Sequence, residues 1–260
     1  MSVKLVEDKD ELRRFLQKKP YQNAYLLGDL DPQFFPFCKW FGFYDDDDEL
    51  AGLVLLYHGL RVPVLITSGD AECIQHLLHG IVLQLPRQLY CHISPTHRHA
   101  LSLYFRWNEL KSTLRMGIDA ASFREGGDTS AVLPLSHADT AGIMQLYRHY
   151  PDNFFEPYQL ESGYYFGIRE ADEIVSIAGI HAVSVVDDIA AIGNVVTHPD
   201  HRRKGYSRAC TTRLLQALFP IVSRVALNVR EENATAIQAF SRLGFQKQAS
   251  FLEGTIEKHD

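Results

Sequence analysis

The chain has 260 residues, is 46% hydrophobic and carries a formal net charge of −6, enough to bury one large core or two small ones. Its charge is slightly acidic and unpatterned, which argues against general nucleic-acid or membrane-surface binding. Four scattered cysteines (Cys38, Cys73, Cys91, Cys210), a charged N-terminus without an apolar h-region, and a longest apolar run at only 53–57 lead us to expect a cytoplasmic protein with reduced thiols and no membrane span.

In chain order, Leu12, Phe15 and Leu16 at helical spacing predict a helix over 6–19, ended by Pro20. A second helix is expected over 21–30. Strands follow at 40–44, 50–57 and 62–67, with the acidic run 45–49 as the first turn. That run lacks the glycine and ligand spacing of a calcium loop. Next come a helix (71–80), a strand (88–93), a helix (96–105) and a strand (110–118). Residues 123–130, FREGGDTS, read as a linker.

The second half repeats this order: a helix over 136–150, a short one near 157–161, and strands at 164–169, 174–184 and 189–197. A helix over 205–219, a strand at 224–229, a helix capped by Asn233 and stopped at Gly244, and a last strand at 245–252 complete it. The expectation is an α/β protein with mixed α+β sheets, duplicated as two domains, 1–125 and 126–260.

The halves differ after their third strand. In the second half, the strand 189–197 runs into His198-Pro199 and then a loop with Arg202, Arg203 and Lys204. A helix opens at Gly205, with Arg208 and Arg213 on it and no acid among these five cations. Strand, cationic loop and helix N-terminus together suit a phosphate, because the first helical amides point outward with partial positive charge. Glycine at the turn lets a ligand approach the backbone closely. In the first half the matching stretch is Ile66-Thr67-Ser68-Gly69-Asp70-Ala71. It has no cation, and Asp70 is placed to cap its own helix and repel an anion. We therefore expect one anion site per chain.

Arg202-x-x-Gly205-x-Ser207, after Val196-Thr197-His198-Pro199, resembles the acyl-CoA signature [Q/R]-x-x-G-x-[G/A] of the Gcn5-related N-acetyltransferase (GNAT) superfamily. Asn228 and then Asn233-x-x-Ala236-x-x-x-Phe240-x-x-x-Gly244-Phe245 resemble the second half of that signature. Ser207 is a small departure that keeps the turn. The match spans roughly residues 130–250; the first half is similar in element order alone. A degenerate first copy joined to an active second one also resembles the glycine N-acyltransferase branch.

The resemblance implies two tandem GNAT-like domains, the first degenerate, and transfer of an acetyl or acyl group from acetyl-CoA to an amine. It also implies no metal, and it leaves a homodimer open. Pantetheine would pair with the backbone of Val195, Val196 and Thr197. The pyrophosphate would lie on the amides of Arg203, Lys204, Gly205, Tyr206, Ser207 and Arg208, beside Arg202. Asn228 and Asn233 would reach the pantetheine or phosphate, and Phe240 would flank the thioester.

Attack by an amine needs a proton acceptor, an oxyanion donor and a way to stabilise the thiolate. The Val196 N–H is the expected oxyanion donor. Candidate bases are His181, Glu156 in the segment Asn153-Phe154-Phe155-Glu156-Pro157, and Asn194 as a water holder; a strand histidine can equally be a plain hydrogen-bonded residue. Many relatives carry tyrosine where Phe240 stands, so the thiolate acid is left to Tyr206, Ser241 or water. This motivates a rival reading as an acyl-CoA-binding sensor. The histidines of 91–99 and the pair His76/His79 lack a closed four-ligand pattern for zinc.

Overall fold

The computed structural model describes residues 1–151, 153 and 155–259; Phe154 of the predicted acceptor-site segment therefore lies outside the described residues. The chain forms two compact units. The first comprises Met1–Arg115 with Arg230–Glu232 and Gln248–Asp260, and the second comprises Met116–Val229 with Asn233–Lys247. The chain thus returns to the first unit with its last strand, and position 125/126 lies inside the second unit.

The first unit contains β1 (Ser2–Leu5), α1 (Lys9–Leu16), α2 (Ala24–Gly28), β2 (Cys38–Tyr44), β3 (Leu50–Tyr57), β4 (Val64–Gly69), α3 (Ala71–Ile81), β5 (Gln88–Ile93), α4 (Arg98–Ser102) and β6 (Phe105–Trp107). Strand order is β1-β2-β3-β4-β5, with β4 and β5 parallel around the α3 crossover and the earlier pairs antiparallel. Leu53, Val54, Leu55 and Leu56 on β3 are almost wholly buried, as a strand covered on both faces requires. β7 (Lys111–Asp119) carries the chain out of this unit at Arg115.

The second unit contains β8 (Leu133–Pro134), α5 (Thr140–Tyr147), β9 (Phe166–Glu170), β10 (Glu173–Ser184), β11 (Ile189–Thr197), α6 (Tyr206–Leu218), β12 (Arg224–Arg230) and α7 (Ala234–Leu243). Its strand order is β12-β11-β10-β9-β8, with β11 and β12 parallel around α6. Leu135, Ile143, Leu146, Tyr147, Phe155 and Leu160 pack on Tyr165, Ile177 and Val196 to form a core on the α5 side of the sheet. The last strand, β13 (Gln246–Lys258), pairs antiparallel with β5 from Leu252↔Ile93 to Glu257↔Gln88.

Residues 123–130 are not a free linker. The Gly126 N–H donates to Thr212 Oγ1 at 3.2 Å, and that hydroxyl donates back to Gly126 O at 2.7 Å. The Arg124 N–H reaches Leu243 O at 2.9 Å. Gly127 has φ +84°, and a Cβ there would come within 3.2 Å of the Ala209 backbone, so the segment lies directly on α6. Polar composition concealed this docking, because a glycine pair lies flat on a helix without side chains to reveal it.

Candidate functional site

Two β-bulges on neighbouring strands build the centre of the site. Between Ile177↔Val196 and Gly179↔Gly193, β11 carries one residue more than β10. Between Ile180↔Ile192 and Ala182↔Ala191, β10 carries the extra one, His181. Bulges twist a strand and re-aim side chains. Asn194, inside the first bulge, has φ +53°, a left-handed conformation that asparagine tolerates better than most residues.

Asn194 is buried and fully engaged. Its Oδ1 accepts from the Tyr147 hydroxyl at 2.7 Å, and its Nδ2 donates to Tyr165 Oη at 2.7 Å and to Gln159 Oε1 at 3.2 Å. Tyr165 in turn donates to Ile180 O at 3.0 Å. Burial raises both tyrosine hydroxyls well above their usual range, so they act as neutral donors. The network fixes the bulge, and its amide leaves Asn194 little capacity to hold a water.

The glycine pair Gly179↔Gly193 makes room for two rings. A Cβ on Gly179 would meet the Tyr165 ring at 2.2 Å, and one on Gly193 would meet His181 Nε2 at 1.9 Å. His181 therefore lies over the strand one residue before the bulge. Glycine inside a strand signals a bulge or close approach, and that signal was present in the sequence. Glu156, in contrast, is exposed and caps its own 3₁₀ turn, Pro157–Ser162. The Glu156 N–H donates to Gln159 Oε1 at 3.1 Å.

Beyond the bulge the sheet opens. Parallel pairing runs from Ile189↔Arg224 to Ile192↔Leu227, while β11 continues to Thr197 and β12 to Arg230. Val195, Val196, Thr197 and Asn228 lie on these diverging ends. Val196 O accepts from Ser176 Oγ at 3.2 Å, and Thr197 O accepts from the Tyr150 hydroxyl. Two carbonyls of the stretch expected to pair with pantetheine thus already accept a side-chain hydroxyl.

At the wide end lies the cationic loop. Arg203 and Gly205 have φ of +65° and +85°, and a Cβ on Gly205 would have no neighbour within 4 Å. Tyr206, Ser207 and Arg208 form the first turn of α6, where amides lack intrahelical acceptors. Arg202 donates to Tyr150 Oη at 3.0 Å. Arg208 Nε is buried with no acceptor among the described residues. No acid stands among Arg202, Arg203 and Lys204 themselves, but the fold brings one to them. Glu170, at the tip of β9, is 3.2 Å from Lys204 Nζ through both oxygens and 3.1 Å from His201 Nδ1, and it accepts from the Tyr206 hydroxyl. The Tyr206 and Lys204 hydrogen bonds hold its carboxyl below the usual range.

On α7, Asn233 Oδ1 accepts from the Ala236 N–H at 3.1 Å as the helix cap, and the side chain is exposed. Phe240 is buried edge-on to Phe245, ring centres 5.8 Å apart. A cavity of about 230 Å³, lined by His149, His198, Asp172, Glu173 and neighbours, opens beside α5.

Strand order, crossover helix, bulge and splayed ends are now all in place, and residues 136–245 match the model of the acetyltransferase (GNAT) family. That stretch is therefore similar to GNAT domains in sequence pattern and in fold. Among solved structures, this fold is shared by a Drosophila protein (TM-score 0.68, 10% identity, covering 97% of this chain and 98% of that one). A GCN5-related N-acetyltransferase from Sphaerobacter thermophilus is also similar (0.63, 13%, 99% and 95%). So is a tandem GNAT protein from the clavulanic acid biosynthesis pathway (0.56, 11%, 99% and 98%). No curated protein matches the sequence. These identities speak for the fold alone.

In the first unit the corresponding strand end carries a buried histidine. Parallel pairing of β4 and β5 ends at Ile66↔His92, and β4 runs on to Gly69. His97, fully buried, bridges the end of β4: its Nδ1 is 2.7 Å from Thr67 Oγ1 and its Nε2 3.0 Å from Gly69 O. Asp70 occupies the N-cap position of α3 but makes no side-chain cap bond, contrary to expectation. Among the described residues no three His, Cys, Asp or Glu side chains gather as a metal site, and no helix is long and apolar enough to cross a membrane.

Proposed function

We propose that the GNAT-like stretch is an acyl-CoA-dependent N-acyltransferase that moves an acetyl group from acetyl-CoA to an amine. The observation that carries this reading is the splay of β11 from β12 beyond the Asn194 bulge, ending at the cationic loop and the α6 N-terminus. Pantetheine would lie along Val195, Val196 and Thr197 and beside Asn228. The pyrophosphate would meet the amides of 203–208, Arg202 and the unpaired donor of Arg208. Asn233, spent as a cap through Oδ1, would act through its amide group, and Phe240 would bound the thioester end.

In this reading the amine adds to the thioester carbonyl, the Val196 N–H holds the oxyanion of the adduct, His181 accepts the amine proton, and collapse of the adduct breaks the C–S bond. The departing thiolate takes a proton from solvent, because Phe240 has none to give and Tyr206 belongs to the cationic loop. His97 in the first unit supports one site per chain. With this reading go a cytoplasmic setting, no nucleic-acid or membrane partner, and membership of the glycine N-acyltransferase-like branch, with the homodimer left open.

Calorimetric titration with acetyl-CoA should give one site per chain, and an amine panel should release free CoA thiol. Two equivalent sites, or no binding, would overturn the proposal. Binding without thiol release would favour the sensor reading, for which the apolar Phe240 position speaks.

A further inference from the structure

The carboxylate of Glu170 sits on the loop that the proposed function assigns to phosphate. Its position follows from the tight turn at Ala171 (φ +45°) and Asp172 (φ +67°), which places the last residue of β9 beside Lys204 and Tyr206. One carboxylate takes both short contacts from Lys204, the Tyr206 hydroxyl and the His201 ring. Lys204 and Tyr206 flank Gly205, where a Cβ would meet open space. Arg203 forms no ion pair among the described residues, and Arg202 is held by the neutral Tyr150. The acid therefore neutralises the loop from outside the motif.

We propose that Glu170 is a resident counter-anion, seated on Lys204 and Tyr206 in the free protein and displaced when a diphosphate binds. The inference rests on the acyl-CoA reading of this loop. The Lys204 and Glu170 side chains are 45% and 33% exposed, and exposed ion pairs of this kind hold weakly. A diphosphate brings two charges and several acceptor oxygens to the same donors, so it can replace one carboxylate. Glu170 then remains nearby as a like charge and lowers affinity for any polyanion. It sets how much negative charge a ligand needs before the loop accepts it.

Glu170→Gln and Glu170→Ala should bind CoA about fivefold more tightly than the wild type at low ionic strength, with the gain shrinking as salt rises. Inorganic pyrophosphate should show the same direction. In the wild-type protein, the ¹³C carboxyl resonance of Glu170 should move toward its solvent-exposed value as CoA saturates the site, a readout independent of either variant's folding. Equal or weaker CoA binding by both folded variants, or an unmoved resonance at saturation, would overturn the inference while leaving the acyl-CoA reading intact. A wild-type protein that binds no CoA would overturn both.

Discussion

The imidazole of His181 occupies the space that a side chain on Gly193 would need: a Cβ at 193 would stand 1.9 Å from Nε2. Gly193→Ala must therefore push the ring off the strand or shift the strand itself. If His181 takes the amine proton, this variant should lose at least about tenfold in kcat while acyl-CoA affinity stays within about twofold, since the loop is untouched. Overpacking of this kind should also cost about 1–3 kcal/mol of stability. A melting curve and a pH–rate profile check both parts: full activity with an unchanged acid limb would remove His181 from the chemistry.

At the other end of the wedge, Gly205 has φ +85° with open space where its Cβ would be. Gly205→Val strains the turn by about 1–3 kcal/mol and places two methyl groups over the first amides of α6. CoA affinity should fall by about 30-fold, roughly 2 kcal/mol, with a modest drop in melting temperature. Unchanged affinity by calorimetry would move the phosphate elsewhere.

A third expectation concerns how the last strand is held in the first unit. Glu253 on β13 accepts from His92 Nδ1 at 2.7 Å, and Arg115 donates to His92 Nε2 at 3.1 Å. Arg115 also donates to Tyr21 O and Gln22 O and lies over the rings of Tyr25 and Phe251. Burial pushes His92 below its usual value, so it is neutral near pH 7 with its proton on Nδ1. Burial alone would raise the Glu253 carboxyl, but the His92 hydrogen bond first, then the charge interactions with His92 and Arg115, bring it down to about 2. Its pKa is lower folded than unfolded, so its stabilisation is present above pH ~4.5 and is lost as pH falls toward 2. Glu253→Gln should cost about 3–5 kcal/mol at neutral pH, because Arg115 is left buried without its counter-charge. It should also flatten the stability curve between those pH values. Denaturant melts at a series of pH values would reveal a wrong assignment as an unchanged acid limb.

The strands 50–57, 88–93 and 189–197 were legible to the residue, because each is a cluster of apolar and β-branched or aromatic residues bounded by turn signals. The short strands β1, β6 and β8 were not. They have too few residues to display a period and exist because a neighbour pairs with them. The expected helix over 96–105 shrank to Arg98–Ser102 for the same reason, its end being drawn into β6 against β13. The cationic loop was visible as Arg202-x-x-Gly205, since the proposed phosphate site depends on backbone conformation and local charge. Glu170 was invisible there, since 34 residues separate it from Lys204 and only the β9–β10 turn brings the two together. His97 was equally hidden: it read as one of several histidines until the end of β4 gave it Thr67 and Gly69 as partners.

Phe240 joins the packing of α7 to the question of the leaving thiolate. It is buried edge-on to Phe245 and has no proton to donate. Phe240→Ala removes a core ring and should cost about 3–5 kcal/mol of stability, raising the acyl-CoA KM more than it lowers kcat. Phe240→Tyr adds a hydroxyl at a buried position, which costs about 1–3 kcal/mol if it finds no partner. If the thiolate leaves without a side-chain acid, turnover in that variant should stay within about threefold of the wild type, since a thiolate is already a good leaving group. Melting temperature must be read beside the kinetics, so that a folding defect is not taken for a chemical one. A roughly 100-fold fall in kcat for Phe240→Ala, with melting temperature and CoA affinity intact, would instead assign this ring a role in the transition state.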